Sequence, residues 1–249
     1  MINSSFKFRD ELFQLPPTFF PHNPTVSHYI GLFVNRGFGQ FISNSLIVAL
    51  STTALCLIIG TPAAYSLSRF NLPFSLDKFF VVWILISRMF PPIAFVIPLF
   101  QIMLSLNLVN TIYALILAYI VLNLPLTIWI IMGFFQGIPV ELEECAMIDG
   151  ATRVQALVRV VVPLVAPGVA AAAIFSLIYS WNEFIYALIF VQTPAAKTFP
   201  VAISGLITEY KVLWGPMSAA GTISIIPILA FVIFAQQYLV KGLTGGAID

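Results

Sequence analysis

Ionisable side chains are scarce in this chain, so each one limits the chemistry available. Only 8% of the 249 residues are charged. No G-x-x-x-x-G-K-[ST] loop is present to cradle a phosphate, so ATP hydrolysis is not expected of this chain itself. There is no H-E-x-x-H and no G-x-S-x-G. His22 and His28 stand alone in a polar N-terminal segment and read as solvated side chains rather than ligands. No nucleophile–base set can be assembled, which argues against an intramembrane enzyme. Three features remain: a dense polar stretch from Pro139 to Pro167, and Arg88 and Glu183, each alone inside apolar sequence.

The polar stretch carries chemistry of contact rather than of reaction. Pro139 suits a first helical position, where its missing N–H costs nothing. Glu141, Glu143 and Glu144 follow, and acids favour a helix N-terminus. Leu142, Cys145, Ala146 and Ile148 fall at helical spacing. Asp149-Gly150 then stops the helix, because glycine accepts the left-handed conformation that ends one. Thr152 is placed to cap a second helix carrying Val154, Leu157, Val158 and Val161, with Arg153 and Arg159 off that face. Two short helices joined at a glycine would make a docking knob. A solvated loop with one interfacial helix fits the spacing equally well.

The elements that must hold this stretch are apolar. Hydrophobic residues make up 60% of the chain, which places it among polytopic membrane proteins. Five segments, roughly 41–67, 79–104, 111–133, 160–189 and 219–240, are each long enough to span about 30 Å of hydrocarbon. They are continuous rather than alternating, so they read as helices and not as a barrel. Pro62, Pro91-Pro92, Pro98, Pro125 and Pro227 lie within them and imply kinks, which favours a bundle around a pathway. A net charge of +1 without a basic cluster argues against a nucleic-acid partner. Cys56 and Cys145 lie too far apart in the pattern to suggest a structural disulfide. Residues 1–40 are polar and Pro-rich, with no signal-peptide core.

Arg88 lies about ten residues into the second segment, next to Pro91-Pro92. An arginine at that depth faces a bundle interior or a wet cavity, or else it is a structural pair or snorkels to the interface. Glu183, in Trp181-Asn182-Glu183-Phe184, has two readings also. It lines the outer half of a path, or the run is an interface belt with Trp181 and Tyr186 as anchors.

At this point the polar stretch shows a resemblance. Glu144, Cys145, Ala146, Gly150, Val160, Val162 and Pro163 stand at the spacing of the cytoplasmic signature of ABC importer permeases: Glu-Ala-Ala, three residues, Gly, nine residues, Ile-x-Leu-Pro. Cys145, Val160 and Val162 depart from it by small apolar swaps, and Asp149 and Ala151 fit it. The Trp181–Phe184 run and the tail Lys241-Gly242-Leu243-Thr244-Gly245-Gly246 resemble the maltose-type, carbohydrate-transporting branch. Asn44-Ser45-Leu46 is similar to the start of that family's second span, and Leu15-Pro16-Pro17 through Pro24 to the external stretch before it.

The resemblance implies an all-α polytopic helix bundle, with residues 1–40 external, 41–249 the permease domain and a coupling-helix loop at about 134–163. It implies that this loop docks in an ATPase subunit through Glu144, Cys145, Ala146, Asp149, Gly150, Ala151 and Pro163. Arg88, Trp181, Asn182 and Glu183 would then border a translocation path. The implied partners are two ATPase subunits that bind the ATP and Mg, a second homologous permease, and an extracytoplasmic binding protein that meets the loop 190–218. No cofactor is expected on this chain. The implied function is import of a sugar or related polyol by alternating access, in the cell inner membrane, with coupling loop and C-terminus cytoplasmic. Basic residues do not set that orientation, since Arg69, Lys78, Arg153, Arg159 and Lys241 balance Lys7, Arg9, Arg36, Lys197 and Lys211. Five spans put Met1 outside, whereas such permeases usually have six, as if this chain began after the first. A stand-alone secondary transporter is the alternative, but it would need more intramembrane ionisable groups and often inverted repeats.

Overall fold

A computed structural model describes residues 1–70, 73–208 and 211–244, with side chains to residue 236. Ten helices carry the architecture: α1 Phe38–Arg69, α2 Leu76–Met89, α3 Val96–Ser105, α4 Ile112–Gln136, α5 Glu141–Ile148, α6 Arg153–Ala156, α7 Ala166–Asn182, α8 Ile185–Phe190, α9 Phe199–Ser204 and α10 Trp214–Thr244. Among the described residues the extended pairing is one isolated bridge, Ile207 to Val212.

Three helices, α1, α4 and α10, are long and apolar enough to cross a membrane unaided. The other two expected spans are broken. The segment 79–104, expected as one helix, bends by 102° between α2 and α3. Phe90 and Pro91 are extended there, at ψ 135° and 132°. The cause is local: a residue before proline is driven out of the helical region, and Phe90-Pro91-Pro92 imposes this twice. The segment 160–189 begins instead at Ala166, after a 75° bend from the helical stretch Arg153–Leu164. It breaks again at Glu183, where ψ is 130°. If each bent pair counts as one span, the chain has five. Pro62, Pro125 and Pro227, by contrast, sit inside helices that continue through them.

α4 is the axis of the bundle. Half of its most apolar window is buried, against 17% for α10 at the periphery. One apolar cluster joins α1, α4 and α8 through Val48, Leu115, Tyr119, Tyr186 and Phe190. A second gathers Ala64, Tyr65, Ile131, Phe135, Val161 and Val165 where the polar stretch meets α1 and α4. Most polar groups inside the bundle bind one another or backbone, as a low-dielectric interior favours, while Thr52 Oγ1, Tyr119 Oη and Thr198 Oγ1 are buried without a hydrogen-bond partner among the described residues. Asn123 donates to Ser180 Oγ at 3.2 Å, tying α4 to α7. Asn44 donates to the carbonyls of Ala195 and Lys197 at 2.9 and 3.0 Å, and Ser45 Oγ accepts from Phe199 N–H at 2.8 Å. These bonds strap the segment 190–204 onto the top of α1, so that part is packed on the bundle. Glu209, in the loop 190–218, lies outside the described residues, as do Gly245 and Gly246 of the tail.

The N-terminal segment is folded against the bundle rather than trailing from it. Its turns at Ile2–Ser5 and Ser27–Ile30 pack on α10, and Ser5 Oγ meets Tyr29 Oη at 2.7 Å. His28 is not free in solvent as expected. Its Nε2 lies 2.9 Å from the Lys7 carbonyl oxygen, and the ring is half-buried against Gly215. His22 is exposed and contacts Glu11 at 3.2 Å.

Candidate functional site

The polar stretch folds as two short helices around Gly150. The first, α5, starts at Glu141, so Pro139 precedes the helix rather than opening it. Gly150 has φ +91°, and the end of α5 closes with two bonds characteristic of a left-handed terminus. Ala151 N–H reaches the Ala146 carbonyl at 3.0 Å, and Gly150 N–H reaches that of Met147 at 3.1 Å. Thr152 then caps α6. Its Oγ1 accepts from Gln155 N–H at 3.3 Å, while Gln155 Oε1 accepts from Thr152 N–H at 2.9 Å, a reciprocal capping box. A wider π turn over Leu157–Val161 leads to Pro163, whose ring would clash with the carbonyl four residues back in a regular helix.

Burial sorts the residues of this knob into two faces. Val161 and Ala156 are buried and Leu157 and Val160 partly so, against α1, α4 and α7. Val154 and Val158, expected on that same apolar face, point outward instead, with Val154 69% exposed. Leu142, Ile148 and Val140 are also exposed, Ile148 at 84%. Around them Glu144, Cys145, Asp149, Gly150 and Pro163 are exposed, while Ala146 and Ala151 are half-buried. Neither Glu144 nor Asp149 has a side-chain partner among the described residues. The outward face therefore combines exposed apolar side chains with carboxylates open to solvent.

The inward face holds a residue the sequence reading did not separate from its neighbours. Glu143 is buried, at 4% exposure. Its Oε1 accepts from Arg69 Nε at 2.6 Å and its Oε2 from Tyr65 Oη at 2.6 Å. Arg69 Nη2 also donates to the Ile138 carbonyl at 2.8 Å. Arg153, from α6, lies over the Phe70 ring at 5.3 Å, a cation–π distance. A signal was present: Tyr65 and Arg69 are four residues apart and share one face of the last turns of α1.

The second group of expected residues lies away from the knob and is not one cluster. Arg88 borders a cavity of about 440 Å³ lined also by Trp83, Phe90, Phe95 and Tyr179. Its Nη1 reaches the Leu122 carbonyl at 3.4 Å, and no acid pairs with it among the described residues. Trp181 is 1% exposed and donates through Nε1 to the Ser224 carbonyl at 3.2 Å, joining α7 to α10. Tyr186 is equally buried and donates to the Pro92 carbonyl at 2.7 Å. Both are therefore core side chains, and the reading of them as interface anchors is corrected. Asn182 is exposed and donates to the Ile178 carbonyl at 2.8 Å. Glu183 caps α8, accepting from the N–H of Tyr186 at 2.9 Å and of Ala187 at 3.2 Å.

Residues 56–245 match the family described as "Binding-protein-dependent transport system inner membrane component". The sulfoquinovosyl glycerol transport system permease protein SmoH of Agrobacterium fabrum is 42% identical over 98% of this chain and 85% of its own. The trehalose transport system permease protein SugB of Mycobacterium tuberculosis is 38% identical over 92% of this chain and 83% of its own. In fold, the chain matches a bacterial ABC transporter involved in alginate import at a TM-score of 0.80, with 21% identity, over 95% of this chain and 87% of that one. The chain belongs to the family of inner membrane components of binding-protein-dependent transport systems.

Proposed function

We propose that the chain is the pathway-forming subunit of an ATP-driven importer for a sugar or related polyol. In this reading one ATPase subunit docks on the α5–α6 knob from the cytoplasmic side and a second on the sister permease, and the two bind the ATP and Mg. A second, homologous permease completes the pathway, and an extracytoplasmic binding protein delivers substrate. The substrate class is supported by the relatives, named for sulfoquinovosyl glycerol and trehalose transport. Arg88, Asn182 and Glu183 border the path, with Trp181 holding α7 in place behind it.

The observation that carries this reading is the knob itself: two capped helices whose outer face is apolar, acidic and unpartnered. A stand-alone secondary transporter has no use for such a face. Gly150→Val tests it. Valine at φ +91° costs on the order of 1–2 kcal/mol, enough to reshape the knob but not to unfold the bundle. The variant is expected to insert and pair with its sister permease while losing ATPase subunits or hydrolysing ATP without uptake. Stoichiometric ATPase and unchanged uptake of the sugar that the binding protein captures would refute the docking role.

A further inference from the structure

We propose that Glu143 is a positioning residue that locks the docking helix α5 to the end of α1, so that the two move as one body. The inference rests on the docking role of the knob. An eight-residue helix between two loops has little stability of its own. Pushed at its exposed face, it would rotate or fray before it moved anything else. Here that freedom is removed. Both oxygens of a buried carboxylate are engaged, one by Arg69 and one by Tyr65, each at 2.6 Å. Arg69 also grips the Ile138 carbonyl on the approach to α5, and Arg153 lies on Phe70 from the far side of the Gly150 break.

All of these contacts converge on residues 65–70, the last turn of α1 and the residue after it. Successive residues of a helix point about 100° apart. Glu143 can therefore face inward while Glu144 faces out. A charge buried beside its partner resists separation, because either group left alone would be desolvated and unpaired. α1 runs the length of the bundle against α4 and α7, so a displacement of the locked knob reaches the centre.

The test uses the complete complex with its ATPase subunits. Labels are placed on cysteines replacing Glu141, exposed at the start of α5 and outside the docking residues, and Ile58, exposed on the outer side of α1, with Cys145 replaced by alanine in the labelled protein. Cys56 is buried and stays silent. Distance distributions are measured by electron spin resonance without nucleotide and with ADP–vanadate trapped. The wild-type pair should give one narrow distance that trapping does not shift. Glu143→Gln keeps the shape and the Tyr65 bond but not the charge for Arg69. It should lose the narrow distance on trapping while ATP hydrolysis continues. Exchanging the pair, Arg69→Glu with Glu143→Arg, should restore it. A wild-type distance that shifts on trapping overturns the proposal without any clamp variant. An unaltered distribution in Glu143→Gln, or no rescue by the exchange, also overturns it. Failure of the docking role shows separately, in the unlabelled protein: Cys145 would then react with maleimide as fast in the complex as in the permease alone.

Discussion

Glu143 and Glu144 are adjacent acids with opposite surroundings, and the difference decides what each substitution should do. Tyr65→Phe removes one charge-assisted bond to a buried carboxylate, a loss of about 1–3 kcal/mol. Thermal unfolding of the purified permease should show it as a lowered midpoint. Glu144→Lys touches nothing inside the chain and should change stability by less than about 0.5 kcal/mol. It should instead weaken retention of the ATPase subunits on a column, and added salt, by screening the new repulsion, should partly restore it. Equal midpoints for Tyr65→Phe and wild type, or unaltered retention in Glu144→Lys, would reverse these assignments. By spacing alone the three glutamates looked alike as helix-start acids, and the family resemblance singled out Glu144, not Glu143. The partner that singles out Glu143 lies 74 residues away on another helix. Arg69 itself entered the sequence reading only as one basic residue in a charge count. Long-range pairing leaves no local pattern, and for the same reason the sequence left two readings open around Trp181 and Tyr186, of which burial removes the interface anchors. Their partners, Ser224 and Pro92, belong to distant segments.

At the scale of elements, what was legible is what short-range chemistry determines. Gly150 as a stop and Thr152 as a cap depend on residues at most five positions away, and both are found as read. Prolines were legible only as a warning. Pro91-Pro92 breaks a span, whereas Pro62 and Pro125 are absorbed within α1 and α4, where packing on neighbours holds the helix together. Close helix approach was not legible at all. A Cβ on Gly168 would sit 2.4 Å from Phe134 Cγ and 2.8 Å from its Cβ. The latter atom cannot swing aside by rotamer change, so α7 and α4 would have to separate. Gly168→Ala should therefore cost about 1–3 kcal/mol by overpacking. Gly133→Ala, one residue from Phe134 with open space around its Cβ position, should be neutral or slightly stabilising, since alanine favours a helix interior. Unfolding midpoints of the two variants, measured side by side in detergent, check this. Equal values would mean that α4 and α7 are not held as close as they stand here.

At the scale of the whole molecule, the bent pairs decide the topology. Residues near 20 and near 145 are separated by α1, the α2–α3 pair and α4. If the 102° pair crosses the membrane, that is three crossings and the two sites lie on opposite sides. If it enters and returns, it is two crossings and they lie on the same side. The apolar length favours crossing. α2 and α3 hold 14 and 10 residues, together about 36 Å of helix at 1.5 Å per residue, against about 30 Å of hydrocarbon. A 102° bend shortens that reach, so the break must be accommodated inside protein or beside water, where the freed backbone groups find partners. The cavity at Arg88, Phe90 and Phe95 lies at this break. The five-span arrangement predicts that Asn23→Cys and Lys211→Cys react with a membrane-impermeant maleimide in right-side-out vesicles. Cys145 should react only after the vesicles are opened. All three positions are exposed, and the buried Cys56 adds no background. Labelling of Asn23→Cys and Cys145 from the same side would make the α2–α3 pair re-entrant. Labelling of Cys145 and Lys211→Cys from the same side would do the same for the pair that includes α7. Either result would move the knob relative to the delivery side and require the pathway to be redrawn.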